Sequence, residues 1–371
     1  MLPNKITSKN NFISWFAPEV GEREKELIFE VVNSNYLNDG SVTRLFETKI
    51  AEYIGVRHCV AVTSGTTAIT LALMALGIGP GDEVIVPDVT FIATANAVRL
   101  AGADVKLVDV EPHRFTIDID KVKKTIGSRT RAIAPVDVNG RGADYNALES
   151  LAAEKGLHLV CDSAEGLGSQ WRNRCLGTFG DAGCFSFSAN KTVTTGQGGM
   201  VATNNTDLYH RLLELKDQGR RAQGTGGNDL HPVMGFNFKF TNIQAAIGLA
   251  QLEKLPERLQ KARQRDTWYR ELLADVDGIV MPPVDHESGE VLQWTDVLVA
   301  DRDRLETALS RSDIGCRPFW FPLHTQRPYA ADDAGFPNAL IICKQGLWLP
   351  SCFDLMNEQV AMTVDVIRKS I

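Results

Sequence analysis

Between about residues 58 and 203 the chain alternates short β-branched apolar runs with longer stretches of helical periodicity. The apolar runs predict strands over Cys59–Thr63, Glu83–Val86, Val105–Val108, Ala132–Val136, His158–Cys161, Cys184–Ser186 and Met200–Ala202. Most are apolar throughout rather than at alternate positions, so both faces need cover. A mainly parallel sheet clothed by helices follows, an α/β architecture of seven strands. The helices fall between the strands at Thr66–Leu76, Phe91–Leu100, Ile119–Ile126 and Tyr145–Lys155, with Gly79-Pro80-Gly81 and Gly102-Ala103 as stops.

After Leu230 the texture changes. Asn242–Leu255 reads as an Ala-rich apolar helix, and Pro256 opens a polar amphipathic helix reaching about Ala274. This places a boundary near residue 255, between a large α/β domain (1–255, with the N-terminal segment) and a smaller α+β domain (256–371). In the second part, strands are predicted over Gly278–Met281, Val291–Val299 and Gly315–Phe319, and helices over Arg302–Arg311 and Glu358–Lys369. Pro282–Glu290 reads as a surface loop. A helix over Gly21–Asn33 has no partner that the sequence identifies.

Composition narrows the function. A chain of 371 residues, 44% of them apolar, can fill sizeable cores. Its 39 basic against 46 acidic residues give a net charge of −7, with no basic stripe to neutralise a phosphate backbone, so nucleic acid is not an expected partner. No stretch reaches the ~18 consecutive apolar residues of a membrane span, and the first residues carry no apolar leader. The expected location is the cytoplasm, with no membrane partner. Seven cysteines without a CxxC pair signal neither a disulfide framework nor a zinc site, and no metal is expected.

Three segments carry candidate chemistry. In Val60-Ala61-Val62-Thr63-Ser64-Gly65-Thr66-Thr67 a strand turns straight into a helix, where backbone N–H groups can bind a phosphate; ordinary hydroxyl capping reads the same residues. In Leu159-Val160-Cys161-Asp162 an acid ends an apolar strand, at the edge where open α/β sheets bind ligands, though turn capping is an alternative. In Ser186-Phe187-Ser188-Ala189-Asn190-Lys191 a lysine lies among small and aromatic residues, suited to Schiff-base chemistry if desolvated and otherwise a surface charge. Gly196-x-Gly198-Gly199 precedes a strand and lacks the third glycine of a dinucleotide loop, which speaks against a nicotinamide oxidoreductase. A phosphate cradle, an acid and a lysine are together what pyridoxal 5′-phosphate (PLP) requires.

The chain resembles the DegT/DnrJ/EryC1/StrS family of PLP-dependent nucleotide-sugar aminotransferases, which have the type I, aspartate aminotransferase-like fold. The likeness rests on Phe46-Glu47, SGTTA at 64–68, GPGDEVIVPDVTFIATANAV at 79–98, DSAEGLGS at 162–169, GTFGDAGCFSFSANKTVTTGQGGM at 177–200, GFNFKFTNIQAAIGLAQLE at 235–253 and RPFWFPLHTQRPY at 317–329. It implies that Lys191 binds the cofactor covalently and then moves protons, and that Asp162 pairs with the pyridinium nitrogen. It further implies Phe91 on the ring face, Glu165 near the ring 3′ oxygen, and Gly65, Thr66 and Ser186 on the phosphate. It also implies that Asn237 reaches the neighbouring subunit's phosphate, and with that a homodimer with shared active sites.

Substrate contacts at His324, Arg317 and Arg327 are implied more weakly. The activity implied is transfer of an amino group from glutamate, leaving 2-oxoglutarate, to a nucleotide-linked 4-keto-6-deoxy sugar of the GDP-4-keto-6-deoxymannose type. Alternatives are a 3-keto or UDP/dTDP-linked sugar, or a non-catalytic PLP-binding regulator. Three departures from the family pattern stand out: Gln197 for a usual Glu, a polar turn residue that leaves the chemistry intact, and Asp137-Val138-Asn139-Gly140 for a common His-Leu-Tyr-Gly with Lys239 for a frequent Arg, which bear on the sugar or nucleotide preference.

Overall fold

The computed structural model describes residues 12–221 and 229–371. Among the described residues up to 203 there are nine strands: β1 (His58–Val62), β2 (Glu83–Pro87), β3 (Asp104–Val108), β4 (Thr130–Ile133), β5 (His158–Asp162), the hairpin β6 (Gln170–Trp171) and β7 (Arg174–Cys175), β8 (Ala182–Ser186) and β9 (Gly199–Thr203). Seven of them form one sheet in the order β1-β9-β8-β5-β4-β2-β3. Within it β9 alone runs antiparallel to its neighbours, β1 and β8. All seven runs expected from the sequence are strands, within about two residues at each end except β4, where Val136 contributes only a bridge to Asp162.

Helices cover both faces, as the uninterrupted apolar strands require. They are α1 (Glu22–Asn33), α2 (Ser41–Ile54), α3 (Gly65–Ala75), α4 (Ala93–Leu100), α5 (Ile119–Thr125), α6 (Tyr145–Lys155) and α7 (Thr206–Lys216). Beneath α3 and α4, Val60, Val62, Val84, Val86 and Val160 are fully buried; Ile85, Ile133 and Leu159 are buried on the opposite side against α6. Each such side chain stabilises the fold by roughly 1.5–3 kcal/mol. The partner of α1 is α8 (Asn242–Glu253): buried Glu24 accepts from Gln251 Nε2 at 2.7 Å and pairs with Lys254 at 3.0 Å.

The C-terminal part contains α9 (Leu255–Leu273), α10 (Arg302–Arg311), α11 (Pro337–Gln345) and α12 (Asn357–Ser370), with a second, antiparallel sheet. Its strands are β10 (Ile279–Val280), β11 (Asp296–Val299), β12 (Arg317–Pro318) and β13 (Gly346–Trp348), in the order β10-β11-β13-β12. One expectation is corrected here. Residues 291–295, read as the start of a strand, are irregular because side chains satisfy their backbone. The buried Arg265 guanidinium donates to the carbonyls of Leu292 and Gln293, and the Asn139 carboxamide bonds both the N–H and the C=O of Trp294. A buried bidentate pair, Arg141 to Asp296 at 2.5 and 2.7 Å, joins the region after β4 to β11. All seven cysteines are free thiols.

Candidate functional site

The C-terminal ends of β5 and β8, the start of α3 and the irregular segment before β11 surround a cavity of about 320 Å³. Open α/β sheets present ligand sites at this edge. Gly65, Thr66, Phe91, Asp162, Glu165, Ser186, Lys191 and Arg317 all line it. Sequence positions spread over more than 250 residues are thereby brought to one place.

At one side of the cavity α3 begins. Ser64 caps it, its Oγ accepting from Thr67 N–H at 3.1 Å, so the hydroxyl is used as an ordinary cap. The helix start still favours negative charge, through the N–H groups of its first turn and the helix dipole. Glycine is required there: a β-carbon on Gly65 would lie 2.9 Å from Ser186 Cβ. The glycines after the lysine serve the same approach, since a β-carbon on Gly199 would meet the Ser64 carbonyl oxygen at 2.2 Å.

Asp162 ends β5. Its Oδ2 accepts from Thr94 Oγ1 at 2.6 Å and its Oδ1 from Ala164 N–H at 3.1 Å. Burial pushes its carboxyl above the usual range; the Thr94 and Ala164 bonds and the Lys191 charge act in the opposite direction. A cation beside it would offset that burial.

Lys191 lies in the β8–β9 connection, its side chain 11% exposed. Nζ donates to Glu165 Oε1 at 3.1 Å and stands 5.2 Å from the Trp294 ring centroid. Glu165 Oε2 accepts the Asn139 N–H at 2.8 Å. Phe91 lines the cavity yet is 53% exposed, an open aromatic face beside buried polar groups.

Arg317 lines the cavity with its guanidinium over the indoles of Trp15 and Trp348, at 5.1 and 5.7 Å. The other three expected residues stand apart from the cavity. His324 is 1% exposed; its Nδ1 and backbone N lie 2.6 and 2.7 Å from the Asp88 carboxylate, and its ring stacks on Phe336. Arg327 and Asn237 are exposed at the surface. Sequence reasoning missed Thr94, Asn139, Trp294 and Trp320. Thr94 and Asn139 bind the site acids, and Trp294 and Trp320 line the cavity.

The family model for DegT/DnrJ/EryC1/StrS aminotransferases matches residues 18–368. The chain belongs to this family. Among its relatives, GDP-perosamine synthase of Caulobacter vibrioides is 38% identical over 349 residues, covering 91% of this chain and 93% of that one. The structure of DesV from S. venezuelae, in complex with a ketimine intermediate, superposes with a TM-score of 0.90 at 32% identity over 94% of each chain. A Streptococcus pneumoniae protein described as a sugar aminotransferase, in its PLP form, gives a TM-score of 0.90 at 25% identity, over 97% of this chain and 98% of that one. Family membership agrees with the cavity as described: a fixed acid, a shielded amine and a helix start on one side of the sheet. No helix among the described residues is long and apolar enough to cross a membrane.

Proposed function

We propose that this chain is a PLP-dependent aminotransferase that moves an amino group from glutamate to a GDP-linked 4-keto-6-deoxy sugar, forming a GDP-perosamine-type product. The observation that carries the reading is the convergence of Lys191, Asp162 and the α3 start on one cavity. The residues fit the cofactor: a cradle that a β-carbon at Gly65 would fill, a buried carboxylate already held by two donors, and an exposed aromatic face at Phe91. When bound, PLP supplies a ring that withdraws electrons from the substrate carbon bearing the nitrogen.

Gly65, Thr66 and Ser186 hold the phosphate, and the positive end of α3 offsets its charge. Asp162 keeps a proton on the ring nitrogen, with Thr94 and Ala164 fixing the direction of its oxygens. Phe91 covers one ring face, since offset stacking suits an electron-poor heterocycle. Lys191 Nζ takes the proton from the donor's α-carbon and returns one to the sugar carbon. Glu165 receives an N–H of that amine, and Trp294 shields it from water. Arg317 faces anionic groups of the substrate, as does Arg327 at the surface; a guanidinium is suited to phosphate. His324 acts at one remove, by fixing the 323–325 turn to Asp88 beside the Phe91 loop.

The working unit is read as a homodimer, in which exposed Asn237 reaches the neighbouring subunit's phosphate and a second copy covers Phe91. Its expected place is the cytoplasm, where sugar nucleotides are made. The test is incubation with PLP, glutamate and GDP-4-keto-6-deoxymannose, with 3-keto and UDP- or dTDP-linked sugars as comparison arms, and mass detection of the aminosugar. Amination of the GDP-linked 4-keto sugar is expected to be fastest. A faster 3-keto or other nucleotide arm replaces the substrate, and no aminosugar from any arm overturns the reading.

A further inference from the structure

Two groups that flank the Lys191 amine come from separate stretches of chain. Glu165 follows β5 and Trp294 precedes β11. One residue bonds to both. Asn139 is fully buried, in the left-handed region at φ 57°, a conformation asparagine tolerates better than most residues. Its N–H donates to Glu165 Oε2 at 2.8 Å, and its C=O accepts from Gln293 N–H at 3.2 Å. In the side chain, Oδ1 accepts from Trp294 N–H at 2.8 Å, while Nδ2 donates to the Trp294 carbonyl at 2.7 Å and to Asp296 Oδ2 at 2.9 Å.

Every polar group of Asn139 is therefore committed. The neighbouring Gly140 leaves the turn no room to move, because a β-carbon there would lie 2.3 Å from the Val291 carbonyl oxygen. A further bond reaches the lysine loop from the same segment: Gln293 Nε2 donates to the Asn190 carbonyl at 3.3 Å. Deleting the Asn139 carboxamide would leave the buried N–H and C=O of Trp294 without these partners, and that loss would drive the segment to shift.

We infer that Asn139 is a positioning residue for Lys191: it holds Glu165 and Trp294 in one fixed relation around the amine. The inference rests on the proposed role of Lys191 as the reacting amine. Asn139→Gly isolates the effect, since glycine adopts the same left-handed turn and keeps the N–H while losing the carboxamide.

The test is acetylation of the full-length protein stripped of PLP, with the labelling rate read at each lysine by peptide mass. Lys216 is the internal control: it is more deeply shielded than Lys191, 3% against 11% exposed, between Asp39 and Glu47 at 3.2 Å each, and distant in role. In Asn139→Gly, Lys191 is expected to label about tenfold faster than in wild type, with Lys216 unchanged. The loaded enzyme should show kcat about tenfold lower with the sugar KM within about twofold. Asn139→Asp keeps the acceptor for Trp294 N–H and loses the donor; it should move Lys191 labelling in the same direction, and it serves if the glycine variant does not fold.

An unchanged Lys191 rate, or an equal rise at Lys216, overturns the inference. A different result marks failure of the underlying reading: if loading the wild type with PLP does not protect Lys191 from acetylation, the lysine is not the reacting amine, whatever the Asn139 variants do.

Discussion

Thr94 donates its hydroxyl to Asp162 Oδ2 across 2.6 Å, so the acid ending β5 is aimed by a residue of α4. Asp162 is 5% exposed, and its second oxygen takes the Ala164 N–H. A buried carboxylate with a donor on each oxygen has one orientation, which is what a partner for a ring nitrogen needs.

Thr94→Val preserves shape and removes that donor. The expected loss is about tenfold in kcat, as for one neutral-to-charged hydrogen bond. Asp162→Asn should cost several powers of ten, because it removes the charge itself. Steady-state kinetics on the two variants check the order; equal rates for both would assign the orientation to some other group.

Lys191→Ala should abolish turnover and remove the absorption band that the covalent link between lysine and cofactor gives the PLP-loaded protein. No other lysine lines the cavity among the described residues, so no neighbour can substitute. A spectrum recorded before and after adding glutamate separates the cases. A variant that keeps turning over, with glutamate converted to 2-oxoglutarate, would remove the lysine from the mechanism.

Asp137 links pH to stability. It is wholly buried, bonded to Ser163 Oγ and Tyr145 OH at 2.6 Å each, and burial pushes its carboxyl up from 3.8 to about 7. The native state therefore keeps a proton that the unfolded chain releases above pH 3.8. Its contribution is complete below that value and is lost as pH rises towards 7, at most roughly 4 kcal/mol over the window. Denaturant unfolding of Asp137→Asn should show that decline flattened between pH 4 and 7.5. Parallel profiles for variant and wild type would contradict it.

The Arg141–Asp296 pair is 0% exposed on both sides. Asp296→Ala leaves a buried guanidinium without its partner and should destabilise the protein by roughly 3–5 kcal/mol. Replacing both residues with apolar side chains of similar volume should recover much of that loss. Thermal unfolding of the single and double variants tests the pair as a unit; equal destabilisation by both would show that the charge is not what matters.

Gly199→Ala inserts a methyl group where Ser64 O stands 2.2 Å away, so β9 or the α3 start must move. The expected outcome is a loss of about 1–3 kcal/mol in stability, with weaker PLP retention. Equilibrium dialysis of the folded variant measures the second effect, and unaltered retention would separate Gly199 from the phosphate end.

The seven strands of the large sheet were legible because a strand buried on both faces is written as an apolar run. Lys191 and the strand-end acid Asp162 were legible as candidates too, because each stands in a distinctive local run, the acid at the end of an apolar strand and the lysine among small and aromatic residues. What the sequence hid is long-range. Glu47, part of the family signature, turns out to accept the Ala61 N–H at 2.8 Å and to pair with Lys216, a partner 169 residues away. The irregular course of 291–295 depends on Arg265 and Asn139, and apolar periodicity carries no sign of either. Short strands such as β13, three residues long, fall below any pattern, whereas α2 and α7 bury Phe46, Ile50 and Ile54, and Leu208, Leu212 and Leu215, at a helical spacing that the sequence does carry.

Because β9 doubles back on β8, the lysine rides on a turn whose two ends are clamped in one ladder, with Phe187 N–H on the Gly198 carbonyl at 2.8 Å and Thr195 N–H on the Phe187 carbonyl at 3.0 Å. A helical crossover could absorb an inserted residue, but here one more would slip the register and turn Met200 and Val201 to opposite layers. The spacing between Phe187 and Gly198 is thus as much a specification of the chemistry as the identity of the amine.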